Sequence, residues 1–366
     1  MLVIVLFTSI FTACSDNSAE KQLSQAESLI IEQPDSTVAI LVYMDTTNMS
    51  ENQIARQQLL YLYTRLIYGN QLPLDSTGIA EGDKIFTGTF DENEVKWLIA
   101  KSAEAKRRGN PVARIELLKD TEFLAIQLND NVDLGIIYLF LSNVYEQGFN
   151  GTVSKHYADK ALAIFRELNW QNKIRDARMA VVGGYLTKRD YKSALDSLIA
   201  MEPEVTANAH DSYKIFFFDQ LARFYDSDRQ ARKAIDIWHS IYDGKNISAN
   251  TLAHWAHAYY HINELDSAYM LIQQANKLPR NNTDETLCRN VEYDILSKMG
   301  RKAEMARVDS LRNIAAGNTM KERRLEESSL ALNLKYDSAT RNARIEAAEA
   351  RNRTNIAIFI AVLVTI

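Results

Sequence analysis

Four stretches of this chain repeat one pattern, and that pattern leaves few folds open. YLFLSNVYEQGFNGTVSKHYADKAL, ARMAVVGGYLTKRDYKSALDSLIAM, FFFDQLARFYDSDRQARKAIDIWHSI and TLAHWAHAYYHINELDSAYMLIQQA align on Tyr145, Tyr185, Tyr225 and Tyr259, at intervals of 40, 40 and 34 residues. Four places before each tyrosine stands Leu141, Val181, Leu221 or Trp255, and three before it Ser142, Val182, Ala222 or Ala256. A small residue follows nine places later (Ser154, Ala194, Ala234, Ala268), and Ala161, Met201, Ile241 or Ala275 follows at sixteen. Apolar residues spaced in this way form one stripe on a helix. The small residue on the next helix lets its backbone approach closely. Each unit therefore reads as a helical hairpin, which cannot bury its stripe alone and must stack on neighbours.

The rest of the composition agrees. Only 13 glycines and 5 prolines occur in 366 residues, about 3.6% and 1.4%, against the usual ~7% and ~5%. A chain so poor in turn-formers has little room for many strands. Asp190, Asp228 and Asn263 lie between the paired stripes, where they predict N-caps for the second helices. The net charge of -5 gives no basic footprint for nucleic acid.

This register resembles the tetratricopeptide repeat (TPR), most clearly over residues 130–280. Two copies exceed the family's 34-residue length, and only Pro203 and Pro279 stand near the family's proline position. The resemblance implies an all-α fold: an α-solenoid of stacked, TPR-like helical hairpins, followed by a long helix running into a transmembrane segment. Weaker copies extend the array over residues 26–315. Ala26–Leu29, then Asp35 or Ser36 as a cap, then Ala39–Leu41 read as helix, turn and helix. Leu287, Val291, Ile295 and Met299, a turn at Gly300, then Ala303, Ala306 and Leu311 read as a degraded last hairpin.

The ends carry different signals. Residues 1–13 are apolar and close on small side chains before Cys14, as in a secretory signal. Phe11-Thr12-Ala13-Cys14 resembles the bacterial lipobox, which implies lipidation of Cys14 and a tether over residues 14–25. Residues 316–354 are free of Pro, hold one Gly, and are rich in Glu, Arg and Ala; they predict one charged helix. Leu325, Leu332, Tyr336, Ala339 and Ala343 sit near heptad spacing. That helix is then either one strand of a homodimeric coiled coil or a single solvated stalk. The apolar run at 355–366 reads as the start of a truncated transmembrane helix, since a span needs about 20 residues. Arg341, Arg344, Arg351 and Arg353 favour a cytoplasmic flank. The lipobox favours a periplasmic one and is given the greater weight.

No constellation for catalysis is present. The chain lacks G-x-x-x-x-G-K-[ST], G-x-G-x-x-G, H-E-x-x-H and G-x-S-x-G, and Gly183-Gly184 has no phosphate-loop context. Cys288, beside Leu287 and Val291, reads as a core thiol. The expectation is a non-enzymatic protein with no cofactor and no resident metal. His254, His257 and His261 share one helix side at i, i+3 and i+7 and form the one cluster with the donor chemistry for zinc. TPR-like arrays hold ligands along their first helices. By register that surface comprises Asn143, Glu146, Gln147, Arg223, Asp226, Asn250, His257, Tyr260 and His261.

Two functional readings follow. The first is a cell-envelope sensor or scaffold, with its array in the periplasm, a peptide or protein partner in its groove, and a cytoplasmic output beyond residue 366. The second is a glycan-binding or assembly-factor lipoprotein. Glycan capture would use exposed tryptophans; the chain has only four, Trp97, Trp170, Trp238 and Trp255, and of these Trp238 and Trp255 fall on core positions.

Overall fold

The computed structural model describes residues 18–327 except 70, 71, 149, 228, 243–246, 322, 325 and 326. The apolar run at 1–13, Cys14, most of the expected 316–354 helix and the run at 355–366 lie outside the described residues.

The described residues form sixteen α-helices and no strand. They are α1 (18–28), α2 (Pro34–Tyr43), α3 (Glu51–Ile67), α4 (Ser76–Phe86), α5 (Glu92–Arg107), α6 (Pro111–Leu128), α7 (Asn131–Gln147) and α8 (Gly151–Glu167). These are followed by α9 (Gln171–Thr187), α10 (Tyr191–Asn208), α11 (Asp211–Ser227), α12 (Ala231–Ile241), α13 (Ala249–His261), α14 (Leu265–Ala275), α15 (Asn282–Lys298) and α16 (302–321). Two compact units result. One is built from residues up to Gly148 together with His156–Ala177, the other from Arg178 onward with the first turn of α8. None of these helices is long and apolar enough to cross a membrane.

One turn recurs between helices and explains the register. At Gly109, Asn129, Asn169, Arg189, Arg229, Asn263 and Gly300 the backbone takes a positive φ of 52–67° or, at Gly300, 70°. The next N–H then donates back five residues: Asp190 to the Tyr185 carbonyl (2.9 Å), Gln230 to Tyr225 (2.7 Å) and Glu264 to Tyr259 (3.0 Å). This is the bond that closes a helix end in the Schellman motif. The aligned tyrosines Tyr185, Tyr225 and Tyr259 are thus the carbonyl acceptors on which each hairpin turns.

The capping expectations were met in part. Asp190 caps α10, accepting from the Ser193 N–H. Asn263 is instead the left-handed residue of its turn, because Asn tolerates that conformation. Asp228 lies outside the described residues. Asp35 sits inside the first turn of α2, whose N-cap is Gln33, because Pro34 at the first helical position sets the start.

The core follows the repeat. Ser154, Ala194, Ala234 and Ala268 have no exposed surface, and Ser142, Val182, Ala222 and Ala256 are buried. Behind them Trp238, Leu271, Ile272, Cys288, Val291 and Ile295 form one apolar cluster that joins α11 to α15. Truncating a fully buried Trp238 to Ala costs about 3–5 kcal/mol. Gly184 explains itself here: a Cβ there would lie 3.0 Å from the Lys155 backbone, so the glycine lets α8 and α9 touch. The last hairpin forms, but Ala303, Ala306 and Leu311 are exposed while Val308, Ala315 and Thr319 are buried. The buried face of α16 is therefore rotated from the one expected.

Candidate functional site

The second unit presents one shared face from α11, α13 and α15, the first helices of three successive hairpins. Most of the expected binding residues of this unit meet there. On α11, Asp219 is buried in a run of aromatic residues and has two partners. Trp238 Nε1 donates to its Oδ1 at 2.9 Å, and Arg223 Nη2 to its Oδ2 at 2.5 Å. Arg223 also donates to Thr251 Oγ1 on α13 at 3.0 Å. The guanidinium is thereby fixed between two helices. Asn250 donates from Nδ2 to Asp284 Oδ1 on α15 at 2.6 Å, while its own Oδ1 is buried without a hydrogen-bond partner.

Asp226 is the centre of the face. It was expected on the ligand-holding surface and lies deeper than that, its side chain 1% exposed. The reason is its place one turn beyond Ala222, where α13 closes over it. Its Oδ2 lies 2.8 Å from His257 Nδ1 and 3.8 Å from His254 Nδ1. Its Oδ1 is buried and has no hydrogen-bond partner among the described residues. Burial works against the carboxylate's charge, yet the hydrogen bonds and charges of His254 and His257 outweigh it and hold Asp226 below its ordinary pKa. Burial likewise opposes the His257 cation, and the bond to Asp226 overcomes it, so His257 titrates above 6.5. His261 moves the other way, lowered by burial and by the neighbouring His257.

Tyr260 and His261 complete the face. The His257 ring stacks on Tyr260 with centroids 6.2 Å apart and meets His261 edge-on at 4.2 Å. Lys298 of α15 stands 4.5 Å over the Tyr260 ring. The three-histidine arrangement expected from sequence does not form one ligand set. His254 and His261 are seven residues apart, about 10.5 Å along the helix, too far for one small ion. Asp226 takes the third place: its carboxylate and ring nitrogens of His257 and His261 lie within 4.8 Å of one another.

Asn143, Glu146 and Gln147 lie on α7 in the other unit. Asn143 and Glu146 are half-buried and Gln147 is exposed. Burial raises the Glu146 pKa. Cys288 is fully buried, with its thiol pushed up by burial, as a core position requires.

A second polar cluster escaped the sequence reading altogether. In the first unit Lys96 of α5 reaches Asp133 Oδ2 of α7 at 3.4 Å and Glu27 Oε1 of α1 at 3.2 Å. The Tyr63 hydroxyl of α3 donates to Asp133 Oδ1. Arg56 pairs with Glu20 and with Glu27. Tyr63, Lys96 and Asp133 are all buried. Burial pushes the Asp133 carboxyl up to about 7, against the pull of Lys96. The available signal was a charge set inside each apolar run, Lys96 in VKWLIA and Asp133 in NVDLGII.

No protein-family model matches this sequence, and no curated protein does. Among solved structures, the chain is similar to a Rap protein complexed with Competence and Sporulation Factor, with TM-score 0.62, 14% identity, and 90% of this chain and 99% of that one covered. It is similar to NprR in complex with its cognate peptide NprX, with TM-score 0.59, 16% identity and coverage of 87% and 93%. The apo form of RapI gives 0.54, 14%, 88% and 98%. The fold is an all-α array of TPR-like hairpins.

All four tryptophans are buried. The four tryptophans thus offer no exposed platform of the kind that glycan capture would use.

Proposed function

We propose that the protein is non-enzymatic and that the α11–α13–α15 face binds an extended peptide or a segment of a protein partner. The observation that carries this is the orphaned polarity of the face. The Asn250 and Asp226 acceptors are buried without hydrogen-bond partners beside a fixed guanidinium and an aromatic stack. A buried acceptor left unmade costs about 1–3 kcal/mol, and a backbone N–H or a cationic side chain supplied by a ligand recovers it. Arg223, anchored by Asp219 and Thr251, suits a ligand carboxylate or carbonyl. The likeness to the NprR fold, whose solved structure holds the peptide NprX, supports the same use of such an array.

A home at the cell envelope rests on the sequence alone. Lipidation at Cys14, a periplasmic array and a membrane helix beginning near residue 355 together make the chain the sensor or scaffold half of a membrane-bound regulator. Metabolic labelling with an alkyne fatty acid tests the anchor: label lost in Cys14→Ala supports it, and undiminished label refutes it.

The binding reading is tested by selecting random displayed peptides on the immobilised full chain, followed by affinity measurement. Enriched peptides should lose at least tenfold in affinity for Tyr260→Ala and Arg223→Ala. Absence of enrichment, or equal affinity for these variants, overturns it.

A further inference from the structure

The donor set at the head of this face has a chemistry that peptide recognition does not require. Asp226 on α11 and His257 and His261 on α13 bring one carboxylate oxygen and two imidazole nitrogens within 4.8 Å of one another. Imidazole and carboxylate are the ligands of zinc and its first-row neighbours, at about 2.0–2.2 Å each. In a tetrahedral sphere such donors stand roughly 3.3 Å apart, so closing around an ion takes side-chain torsions and leaves both helices in place.

Two further observations point to a ligand. Asp226 Oδ1 is enclosed yet has no hydrogen-bond partner, so the carboxylate has an unused lone-pair site where an ion would sit. The His257 and His261 rings meet at 4.2 Å, a spacing at which two imidazolium cations repel and two neutral rings can share a metal. His257 and His261 are an i, i+4 pair, which places them one turn apart on the same helix side.

We propose that Asp226, His257 and His261 form a binding site for a divalent transition metal of the zinc class. The fourth coordination position opens to solvent on the side of the exposed His261. Binding replaces the hydrogen bond between His257 and Asp226: an imidazolium gives its Nδ1 proton to solvent, and a ring already neutral carries its one proton on Nε2 as Nδ1 takes the metal. Only three protein ligands are present, and Lys298 and Arg229 stand near His261; both facts weaken the site relative to a four-ligand structural zinc site. The site does not depend on the peptide reading, because the metal alone is the probe.

The test is titration of the full chain with zinc by calorimetry and with cobalt(II) by visible absorption. One equivalent should bind, with the ligand-field bands of tetrahedral cobalt. His261→Ala, at an exposed position that leaves the fold intact, should abolish those bands. Asp226→Asn should weaken zinc at least tenfold, and His210→Ala should bind as the wild type does. Three results overturn the proposal: no saturable binding by the wild type, unchanged cobalt bands in His261→Ala, or an equal loss in His210→Ala. If Asp226→Asn fails to fold, judged by circular dichroism, His261→Ala still decides.

Discussion

Asp133 in the first unit and Asp226 in the second are both buried on first helices, and the two are treated in opposite ways. Asp133 meets a lysine and a tyrosine hydroxyl, and the lysine is also held by Glu27. Tyr63, Lys96 and Asp133 are all enclosed, and the cation cannot leave without stranding an acid. Asp226 meets two imidazoles instead, one oxygen is left over, and the rings beside it reach solvent. Lysine holds its charge across the neutral range, whereas imidazole changes charge within it. The first arrangement fixes helices against one another; the second leaves a carboxylate available to a proton, a metal or a ligand.

The largest effect should come from Lys96→Met. It leaves Asp133 buried without its cation, and breaking such a pair costs about 3–5 kcal/mol. Chemical denaturation would show it, and a loss under 1 kcal/mol would erase the distinction between the clusters. Tyr63→Phe comes next. It removes the hydroxyl donor to Asp133 and leaves a buried acceptor unmade, at about 1–3 kcal/mol.

Asp226→Asn should cost less, about 1 kcal/mol, with a pH signature of its own. Because His257 titrates above 6.5 in the fold, the pair's contribution is fully present below 6.5 and fades as pH rises through the folded value. Because Asp226 is held low, the contribution also fades as pH falls below the ordinary carboxylate range. The stability gap between wild type and variant should therefore be widest between about pH 4 and 6.5. Asp133 behaves otherwise. Its raised pKa means that the carboxyl opposes folding progressively as pH rises from the ordinary carboxylate range to about 7, and no further above it. The gap between wild type and Asp133→Asn should thus move against the wild type from about pH 4 to 7 and level off above that. A flat profile for both variants would remove the contrast.

The smallest effect belongs to the turn beside the site. Arg229 holds a φ of 61° three residues past Asp226. Arg229→Gly should stabilise the chain by up to about 1 kcal/mol, since glycine takes this conformation without a Cβ penalty. A thermal shift downward would mean that the arginine side chain holds something the backbone argument omits.

The hairpin array was legible because each layer leaves a periodic mark: a tyrosine, a small residue nine places on, and an apolar stripe between. The face on α11 and α13 was legible by the same register. The depth of Asp226 was not, because burial depends on what the next hairpin lays over a position. The metal-like set was misread for a related reason. Sequence spacing places His254, His257 and His261 on one side of a helix but does not show that the third donor comes from α11. The Lys96–Asp133 cluster joins residues 37 apart on separate helices, and nothing local in either run names its partner.

The account's central claim is that recognition belongs to the Asp226 face, and hydrogen exchange of the full chain with and without a selected peptide tests it most directly. Slowed exchange should be confined to α11, α13 and α15. Slowed exchange around α3, α5 and α7 instead, or none anywhere at saturating peptide, would contradict it.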